Sequence, residues 1–425
     1  MTVIPEHLPG KMTICSWIWA WLAQAGPDEP YGDIEKTMIE TKERGFNCIR
    51  LDAGLNWCFD MQGNPRGEVE FCQWIEGYSS NLRIVNAKGG VKYKVLDRVL
   101  QMMELAKKYN IYVILTSWEY QDSTWHISDR KIRDEVMAVP INDRLIRLAH
   151  QHDRLIKILK ERGLAKNIAF IEPHNELNAS DFPGAEENKR VHTEAISFLR
   201  ERHPDILVSA DLVGLLDGSF SFIPDNTQVF DMHMYPGYNV YGGKVPFAGI
   251  YSSTIWNQEF DPKNPRKIPL MNKLLKEHII SWDVFMKKAE NVREFWGPIN
   301  WFYENLNNKE WDTWMLDHFD EFWPIVKDTA KKSFILNGDE FRRRDIPAVL
   351  DEGGWFYPPL GSRFEEMDKG MRLFDLMCDE AIKQNYWGFM NSTYNGPEQP
   401  IWTARPDWLK TINERFQKSI ILEVE

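Results

Sequence analysis

The 425-residue chain carries 51 basic and 63 acidic side chains, and its formal net charge of −12 argues against a nucleic-acid partner, which would need a basic face. No apolar run reaches the roughly 18 residues of a membrane span, so we expect no membrane contact. Five scattered Cys without a C-x-x-C pattern indicate reduced thiols. Together with an N-terminus that lacks a signal-peptide pattern, they predict a cytoplasmic protein, or a secreted one if a signal peptide was removed.

Short apolar strands alternate with amphipathic helices along the chain. A helix is predicted after most strands, as in βα units of a parallel sheet. The predicted strands are Lys11–Trp21, Phe46–Asp52, Asn110–Ser117, Ile168–Leu177, Ile206–Asp211, Gln228–Tyr235, Asp345–Trp355 and Tyr386–Ser392. The predicted helices are Asp33–Arg44, Val95–Tyr109, Asn142–Arg162, Glu186–Glu201, Arg363–Gln384 and Asp407–Gln417.

Eight strands with intervening helices predict an α/β fold of the (β/α)8 TIM-barrel class. A doubly wound open sheet is the alternative, but no G-x-G-x-x-G follows the first strand and no phosphate loop is present. Residues 236–344 are too long for one crossover helix, so we expect a large insertion between strands six and seven. The chain is predicted to be one catalytic domain, 1–425, with that inserted lobe.

The fourth strand ends in a run of polar residues, I-E-P-H-N-E. Glu172, His174 and Glu176 recur at period two, which predicts three titratable groups on one face. Asn175 directly precedes Glu176, and Pro173 cannot donate a ladder hydrogen bond. Because sites of α/β folds lie at the carboxyl ends of strands, this segment is the first candidate for chemistry.

The seventh strand also ends in a glutamate, Glu352, followed by Gly353 and Gly354. Asp351 is its rival, but strict alternation would point Asp351 to the opposite face. Two carboxylates that close apolar strands suggest acid/base or nucleophilic work on a glycosidic bond, although either could be a solvated loop acid.

Two further strands carry charge or polar groups where apolar residues are expected. Arg50 interrupts the second strand, so its charge must be paired or face a polar interior. Near the end of the sixth strand, Asp231, His233 and Tyr235 share a face. Each also has a structural interpretation, as an internal ion pair or as a hydrogen-bonded core residue.

These positions resemble the clan of TIM-barrel retaining glycoside hydrolases that contains cellulases, β-mannanases and β-galactosidases. The clan has Asn-Glu at the end of strand four, Glu at the end of strand seven, Arg on strand two and His-x-Tyr after strand six. Asn175–Glu176, Glu352, Arg50, and His233 with Tyr235 match these marks. Thr116, Ser117 and Trp118 stand where many members have a His, and Trp387 comes earlier in strand eight than the clan's Trp.

The resemblance implies a retaining hydrolase of β-glycosidic bonds in oligo- or polysaccharides. Glu176 would be the acid/base, Glu352 the nucleophile supported by Arg50 and Tyr235, and Asn175 the residue that binds the sugar's 2-hydroxyl. Retention requires carboxyl groups about 5–5.5 Å apart. No cofactor and no metal are implied, the partner is a carbohydrate, and the sequence predicts no oligomeric state.

The chain has 18 Trp, an unusually high number, and aromatic rings in a cleft can stack on sugars. Half or more of them are expected only to fill the core. The candidates for substrate contact are Trp17, Trp118, Trp355, Trp387 and Trp402.

Two alternative functions stay open. A metal-dependent hydrolase on the same barrel would need a cluster such as H-x-H, and the first strand has no His. A carbohydrate-binding barrel without activity would not need both glutamates.

Overall fold

The computed structural model describes residues 2–71, 88–118, 129–179, 184–213, 220–237, 263–267, 269–288, 296–355 and 359–419. Within them, eight parallel strands pair in chain order, and the last strand pairs with the first, so the sheet closes. This confirms the predicted (β/α)8 barrel. The strands β1 to β8 are Met12–Trp17, Cys48–Asp52, Tyr112–Thr116, Ile168–Glu172, Leu207–Val213, Val229–Met234, Ala348–Gly353 and Gly388–Phe389.

A helix follows seven of the eight strands. Residues 220–228, the described part of the β5–β6 connection, contain no helix. The largest differences from the predicted elements lie at strand ends, because the chain turns after Trp17 and after Glu172 instead of remaining extended. The seven helices are Ile34–Glu43, Val95–Tyr109, Ile141–Glu161, Gly184–Arg202, Asn308–Arg344, Asp368–Lys383 and Pro406–Gln417.

The connection between β6 and β7 contains the predicted large insertion. Its described part holds the helices Pro269–Leu274, Trp282–Lys288 and Trp296–Asn305, and then one helix of 37 residues, Asn308–Arg344. This last helix leads directly into β7, so the connection has an ordinary crossover helix in addition to the inserted residues. The assignment of the whole chain to one domain stays a prediction.

Smaller elements follow β1, β2, β3 and β8 in the chain. The short helices are Ala20–Ala23, Leu55–Cys58, Arg130–Met137 and Pro400–Ala404, and Val69–Phe71 pairs antiparallel with Val91–Tyr93. Among the described helices, none is both long and apolar enough to cross a membrane.

The apolar core has two separate layers. The larger one lies between the barrel wall and the helices. The smaller one fills the N-terminal half of the barrel interior with side chains from all eight strands or the residues beside them, including Met12, Cys48, Phe170, Val349 and Trp387. Packed apolar layers of this kind make the lower half of a TIM barrel a core rather than a pore.

Candidate active site

The barrel interior changes from apolar to charged above this lower layer. Side chains of a strand alternate, so a residue two positions further along points to the same side. Each charged residue follows an apolar interior residue by two positions, and all four are completely buried. They are Arg50 after Cys48, Glu172 after Phe170, Asp231 after Val229 and Asp351 after Val349.

Arg50 lies at the centre of this layer and contacts acidic or amide groups from two other strands. Its Nε and Nη2 donate to the two Glu172 carboxylate oxygens at 2.9 and 2.8 Å. Its Nη2 also donates to Asn175 Oδ1 at 2.6 Å, and its Nη1 donates to Glu352 Oε2 at 2.8 Å. Burial alone would lower the pKa of Arg50, but Asp351, Glu172 and Glu352 raise it well above its usual value, so the guanidinium stays charged.

Asp351 points into the barrel, and its expected orientation away from Glu352 is wrong. Its Oδ2 lies 2.8 Å from Arg50 Nε. The pairing of β6 with β7 shows the reason: Met232 pairs with Leu350, but the next residue, His233, pairs with Glu352. Asp351 is therefore the extra residue of a β-bulge. The bulge breaks the alternation, so that Asp351 and Glu352 both point inward.

The turn after β4 presents Glu176. Its backbone has φ 51°, a left-handed conformation that is uncommon for a residue with a side chain. Ser117 holds the turn, because its carbonyl accepts the Asn175 N–H at 2.9 Å and its hydroxyl donates to the Pro173 carbonyl at 2.7 Å. The turn also corrects one expectation: His174 does not share a face with Glu172, but packs edge-on against His192 of the outer helix at 5.2 Å.

Glu352 is held by three donors from three parts of the barrel. The hydroxyls of Tyr235 and Tyr394 both donate to Oε1, the latter at 2.8 Å, while Arg50 binds Oε2. Tyr394 was not among the predicted site residues. It lies past the end of β8, where the resemblance leads one to expect a Trp, so only its position after that strand could have pointed to it.

His233 bridges the two glutamates. Its Nδ1 lies 2.8 Å from Glu176 Oε1 and 3.6 Å from Glu352 Oε2. Its Nε2 lies 3.3 Å from Asp211 Oδ2 and 3.2 Å from Asp351 Oδ1. Burial would lower the pKa of His233, but Asp211 and Glu352 raise it well above its usual value. An imidazolium, with a proton on each nitrogen, is the form that suits carboxyl oxygens on both sides.

The buried acids divide into two classes. Burial raises the pKa values of Asp211 and Asp231 well above the usual range, and it raises that of Glu172 despite the neighbouring Arg50. For Asp351 burial acts in the same direction, but Arg50 and His233 outweigh it and lower the pKa. Burial thus favours the protonated forms of Asp211, Asp231 and Glu172, whereas the two cations favour the ionised form of Asp351.

The two glutamates approach each other across the barrel mouth. One carboxylate oxygen of Glu176 and one of Glu352 lie within 4.8 Å of each other, and both lie within the same distance of a ring nitrogen of His233. Two deeper groups, Asp211 with His233 and Asp351, and Glu172 with Asp231 and Asp351, have the same spacing, which would also suit a metal ion. Arg50 already supplies positive charge to these groups, since it contacts Glu172, Asp351 and Glu352.

Of the five candidate stacking rings, only Trp118 lies beside this site. Its ring centre is 5.7 Å from the Arg50 guanidinium carbon and 5.9 Å from the Trp19 ring. A substrate contact by Trp118 stays a prediction. The other four rings are at most 3% exposed and pack elsewhere.

Two of those four rings lie in the outer layer on the β1 and β8 side, where a sugar has no access. Trp17 packs against Tyr31 at 5.2 Å, because alternation turns it outward while Ser16 faces the interior. Trp402 stacks on Phe46 with ring centres 6.2 Å apart, and the Arg44 guanidinium carbon lies 4.1 Å from the Trp402 ring centre. The expectation that these two rings contact substrate is wrong.

The remaining two rings are buried against other parts of the protein, and a substrate contact by Trp355 stays a prediction. Trp355 donates to the Gly370 carbonyl at 2.8 Å and packs against Phe364. Trp387 lies in the lower apolar layer and donates to the Pro9 carbonyl at 2.8 Å, at the opposite end of the barrel from the glutamates. The assignment of Trp387 to the clan's strand-eight Trp is therefore wrong.

Comparisons with known proteins agree with this architecture. A family model described as "Cellulase-like: Sugar-binding cellulase-like" matches residues 14–169. A candidate glycoside hydrolase from Parabacteroides distasonis ATCC 8503 is similar in structure, with TM-score 0.68 and 16% identity over 97% of this chain and 95% of that one. The endo-β-1,4-mannanase from Thermotoga petrophila has TM-score 0.51 and 11% identity over 97% and 78%. No curated protein matches the sequence.

At such identities the solved structures establish a common fold. Together with the family model they support the resemblance to TIM-barrel glycoside hydrolases that the motifs indicated, and they leave the individual family unresolved.

Proposed function

We propose that the protein is a retaining glycoside hydrolase that cleaves β-glycosidic bonds of oligo- or polysaccharides. The observation that carries the proposal is the pair Glu176 and Glu352, whose nearest carboxylate oxygens lie within 4.8 Å at the carboxyl ends of β4 and β7. Retaining enzymes hold their two carboxyl groups about 5–5.5 Å apart, whereas inverting enzymes need about 6.5–9.5 Å to admit a water molecule. The short separation favours retention.

Glu352 has the surroundings of a nucleophile. Arg50 and two tyrosine hydroxyls donate to its oxygens, which stabilises the ionised form. In the first step, a Glu352 oxygen forms a bond to the anomeric carbon while the bond to the leaving oxygen breaks. In the second step a water oxygen forms a bond to the anomeric carbon while the bond to Glu352 breaks, and the same three donors stabilise the returning charge of the carboxylate.

Glu176 has the surroundings of an acid/base. Its side chain is 16% exposed, against 5% for Glu352, so it has the greater access to solvent and substrate. Because His233 Nδ1 contacts Oε1 of Glu176, the catalytic proton would be carried by Oε2 of Glu176. Glu176 gives this proton to the leaving oxygen in the first step and takes one from water in the second.

Asn175 is placed to bind substrate beside the pair. Arg50 has no acceptor, so its contact with Asn175 identifies the amide oxygen and directs the Nδ2 donors away from the guanidinium. We propose that Nδ2 donates to the sugar's 2-hydroxyl, a contact that strengthens as charge develops at the anomeric carbon.

The test is hydrolysis of a panel of aryl β-glycosides and β-linked polysaccharides, with the product anomer followed by NMR. We expect first-formed products of retained configuration, and losses of at least about 10³-fold in kcat for Glu176→Gln on unactivated substrates and for Glu352→Gln on all substrates. The matched control is Glu380→Gln. Glu380 is a buried glutamate that pairs with Lys383 on the outer helix.

Three results would contradict the proposal. Inverted product would exclude the retaining mechanism. Unchanged activity in both active-site variants would place the chemistry elsewhere. Tight binding of oligosaccharides by a wild-type protein without hydrolysis of any panel member would favour a carbohydrate-binding barrel.

A further inference from the structure

We propose that Asp211, near the carboxyl end of β5, is a positioning residue that fixes both the backbone and the carboxyl group of Glu176. The inference rests on the proposed acid/base function of Glu176. Asp211 ends the predicted fifth strand, but it was not among the predicted site residues and the clan's motifs do not include it. Its side chain is completely buried.

The first contact is with the Glu176 main chain. Asp211 Oδ2 accepts the Glu176 N–H at 2.6 Å. This residue is the one in the turn with φ 51°, a conformation that a side chain disfavours and that surrounding contacts must maintain. Ser117 binds the Pro173 carbonyl and the Asn175 N–H of the turn, and Asp211 binds the N–H of Glu176 itself.

The second contact reaches the Glu176 side chain through His233. The same oxygen, Asp211 Oδ2, lies 3.3 Å from His233 Nε2, and the opposite ring nitrogen lies 2.8 Å from Glu176 Oε1. An imidazole held at one nitrogen presents the other in a fixed direction. One carboxyl group on β5 therefore fixes a peptide N–H and a ring that both belong to the acid/base assembly.

Other charged groups near Asp211 do not replace its contact with the Glu176 N–H. Arg50 Nη2 is 3.8 Å away, beyond hydrogen-bond distance, and already donates to Glu172 and Asn175. Asp351 contacts His233 Nε2 at 3.2 Å, but the acceptor of the Glu176 N–H is Asp211. Asp211 is the carboxyl group that touches both.

The consequence is a defect specific to proton transfer. Without Asp211, the turn can shift because the Glu176 N–H loses its acceptor, and the imidazole keeps only Asp351 beside Nε2, so the Glu176 carboxyl group is no longer directed at the leaving oxygen. Proton donation matters for a poor leaving group such as phenoxide and little for 2,4-dinitrophenoxide, which departs as a stable anion. Glu352 keeps its own donors, so attack on the anomeric carbon should be affected much less.

The experiment compares Asp211→Ala, Asp211→Asn and wild type on the phenyl and 2,4-dinitrophenyl β-glycosides of the sugar that wild type cleaves best. We expect Asp211→Ala to lower kcat/KM about 10²-fold on the phenyl glycoside, the usual cost of a misplaced catalytic group, and less than about tenfold on the dinitrophenyl glycoside. Asp211→Asn keeps an oxygen that can accept the Glu176 N–H, so it should recover most of the phenyl activity.

Azide gives a second readout. If Glu176 is misplaced as a base, added azide should accelerate turnover of the dinitrophenyl glycoside by Asp211→Ala and yield a glycosyl azide, with little effect on wild type. Asp231→Ala is the matched control: it also removes a completely buried carboxyl group from the barrel interior, but one that neighbours Glu172 and Asp351. It should lower both glycoside activities equally.

Equal losses on the two glycosides in Asp211→Ala, with no rescue by azide or by Asp211→Asn, would show a merely structural role and overturn the inference. The proposed function would then still stand, provided that wild type cleaves both substrates. A wild-type protein that cleaves neither glycoside would overturn the proposed function, and with it this role of Asp211.

Discussion

The carboxylate groups of Asp351 and Glu352, adjacent in sequence on one strand, both lie 2.8 Å from nitrogens of the Arg50 guanidinium. Neighbouring residues of a regular strand point to opposite faces, so this relationship exists only because β7 contains a bulge against β6. Asp351 follows the interior residue Val349 by two positions, and the bulge turns Glu352 inward beside it, so Arg50 contacts the candidate nucleophile in addition to a deep ion pair. Arg50 thereby connects the structural charge layer to the reacting group.

Arg50 is predicted to be necessary for stability as well as for activity. Arg50→Met leaves Glu172, Asp351 and Glu352 without their shared cation, and breaking a buried ion pair typically costs about 3–5 kcal/mol. Urea denaturation should show a loss of this size near neutral pH. Because Arg50 lowers the pKa of Asp351, the stability that this pair provides is present above the unfolded pKa and is lost in acid, so the variant's deficit should shrink as pH falls.

The control for Arg50 is Arg190→Met. Arg190 pairs with Glu187 and Glu194 on an exposed helix surface, where ion pairs are screened by solvent. It should change stability little at any pH. An Arg50→Met protein as stable as this control would show that the interior acids do not depend on the guanidinium.

The two tyrosines on Glu352 are predicted to act mainly in the second chemical step. Tyr235→Phe and Tyr394→Phe each remove one donor from Oε1, which is worth about 1.5–3 kcal/mol for a hydrogen bond to a charged group. The departing carboxylate is then less stabilised. We expect kcat and KM on 2,4-dinitrophenyl glycosides to fall together, with a pre-steady-state burst as the glycosyl-enzyme accumulates.

The double tyrosine variant provides the check. Two donors on one oxygen should be coupled, so the combined loss should differ from the sum of the single losses by about 0.5 kcal/mol or more. Strict additivity, or a loss confined to KM in both single variants, would contradict a shared role at Oε1.

Trp387 is predicted to stabilise the fold without contacting substrate. Trp387→Phe removes the hydrogen bond to the Pro9 carbonyl and leaves space in the lower apolar layer, so the free energy of unfolding should fall by about 1–3 kcal/mol. Steady-state kinetics should stay close to wild type. The comparison variant is Trp118→Phe, beside Arg50, whose KM should rise if that ring contacts the sugar.

Asp52 is predicted to destabilise the protein at neutral and higher pH. Burial raises its pKa to about 7, although its Oδ1 accepts the Gly54 N–H at 2.9 Å. The folded state therefore holds a proton that the unfolded chain releases near pH 4, and stability falls as pH rises from about 4 to about 7. Asp52→Asn should remove this fall and gain on the order of 4 kcal/mol relative to wild type at pH 8.

The measurement is the difference in unfolding free energy between Asp52→Asn and wild type from pH 4.5 to pH 8. Asp317→Asn, the same substitution at an exposed position, is the control. A flat difference for Asp52→Asn would show that this carboxyl group is solvated in the folded state.

The local pattern of the sequence was sufficient for the barrel and for part of the site. Strand alternation and helix periodicity depend on neighbours in the chain, so β1 to β8 and most helices could be predicted from them. The pattern also indicated that Arg50 must face a polar interior. It could have suggested Asp211 as well, since Asp211 follows an apolar strand segment as Glu172 does.

Single-strand patterns could not give the relationships between strands. The bulge at Asp351 depends on register against β6, and the left-handed turn at Glu176 depends on acceptors from β3 and β5. Trp17, Trp355, Trp387 and Trp402 looked like ligand-binding rings because an indole in a loop or at a strand end has the same sequence signature whether it lines a cleft or fills the core.

By itself, the sequence determined the element order, the closed parallel sheet and the two strands that end in glutamate, because periodicity and composition are local properties. Tertiary structure alone decided that Asp351 joins Glu352 at Arg50, that Tyr394 reaches Glu352, and that Asp211 holds Glu176. These depend on the register and closure of the barrel, which bring groups 35 to 302 residues apart within hydrogen-bond distance in a buried interior where every charge must find a partner.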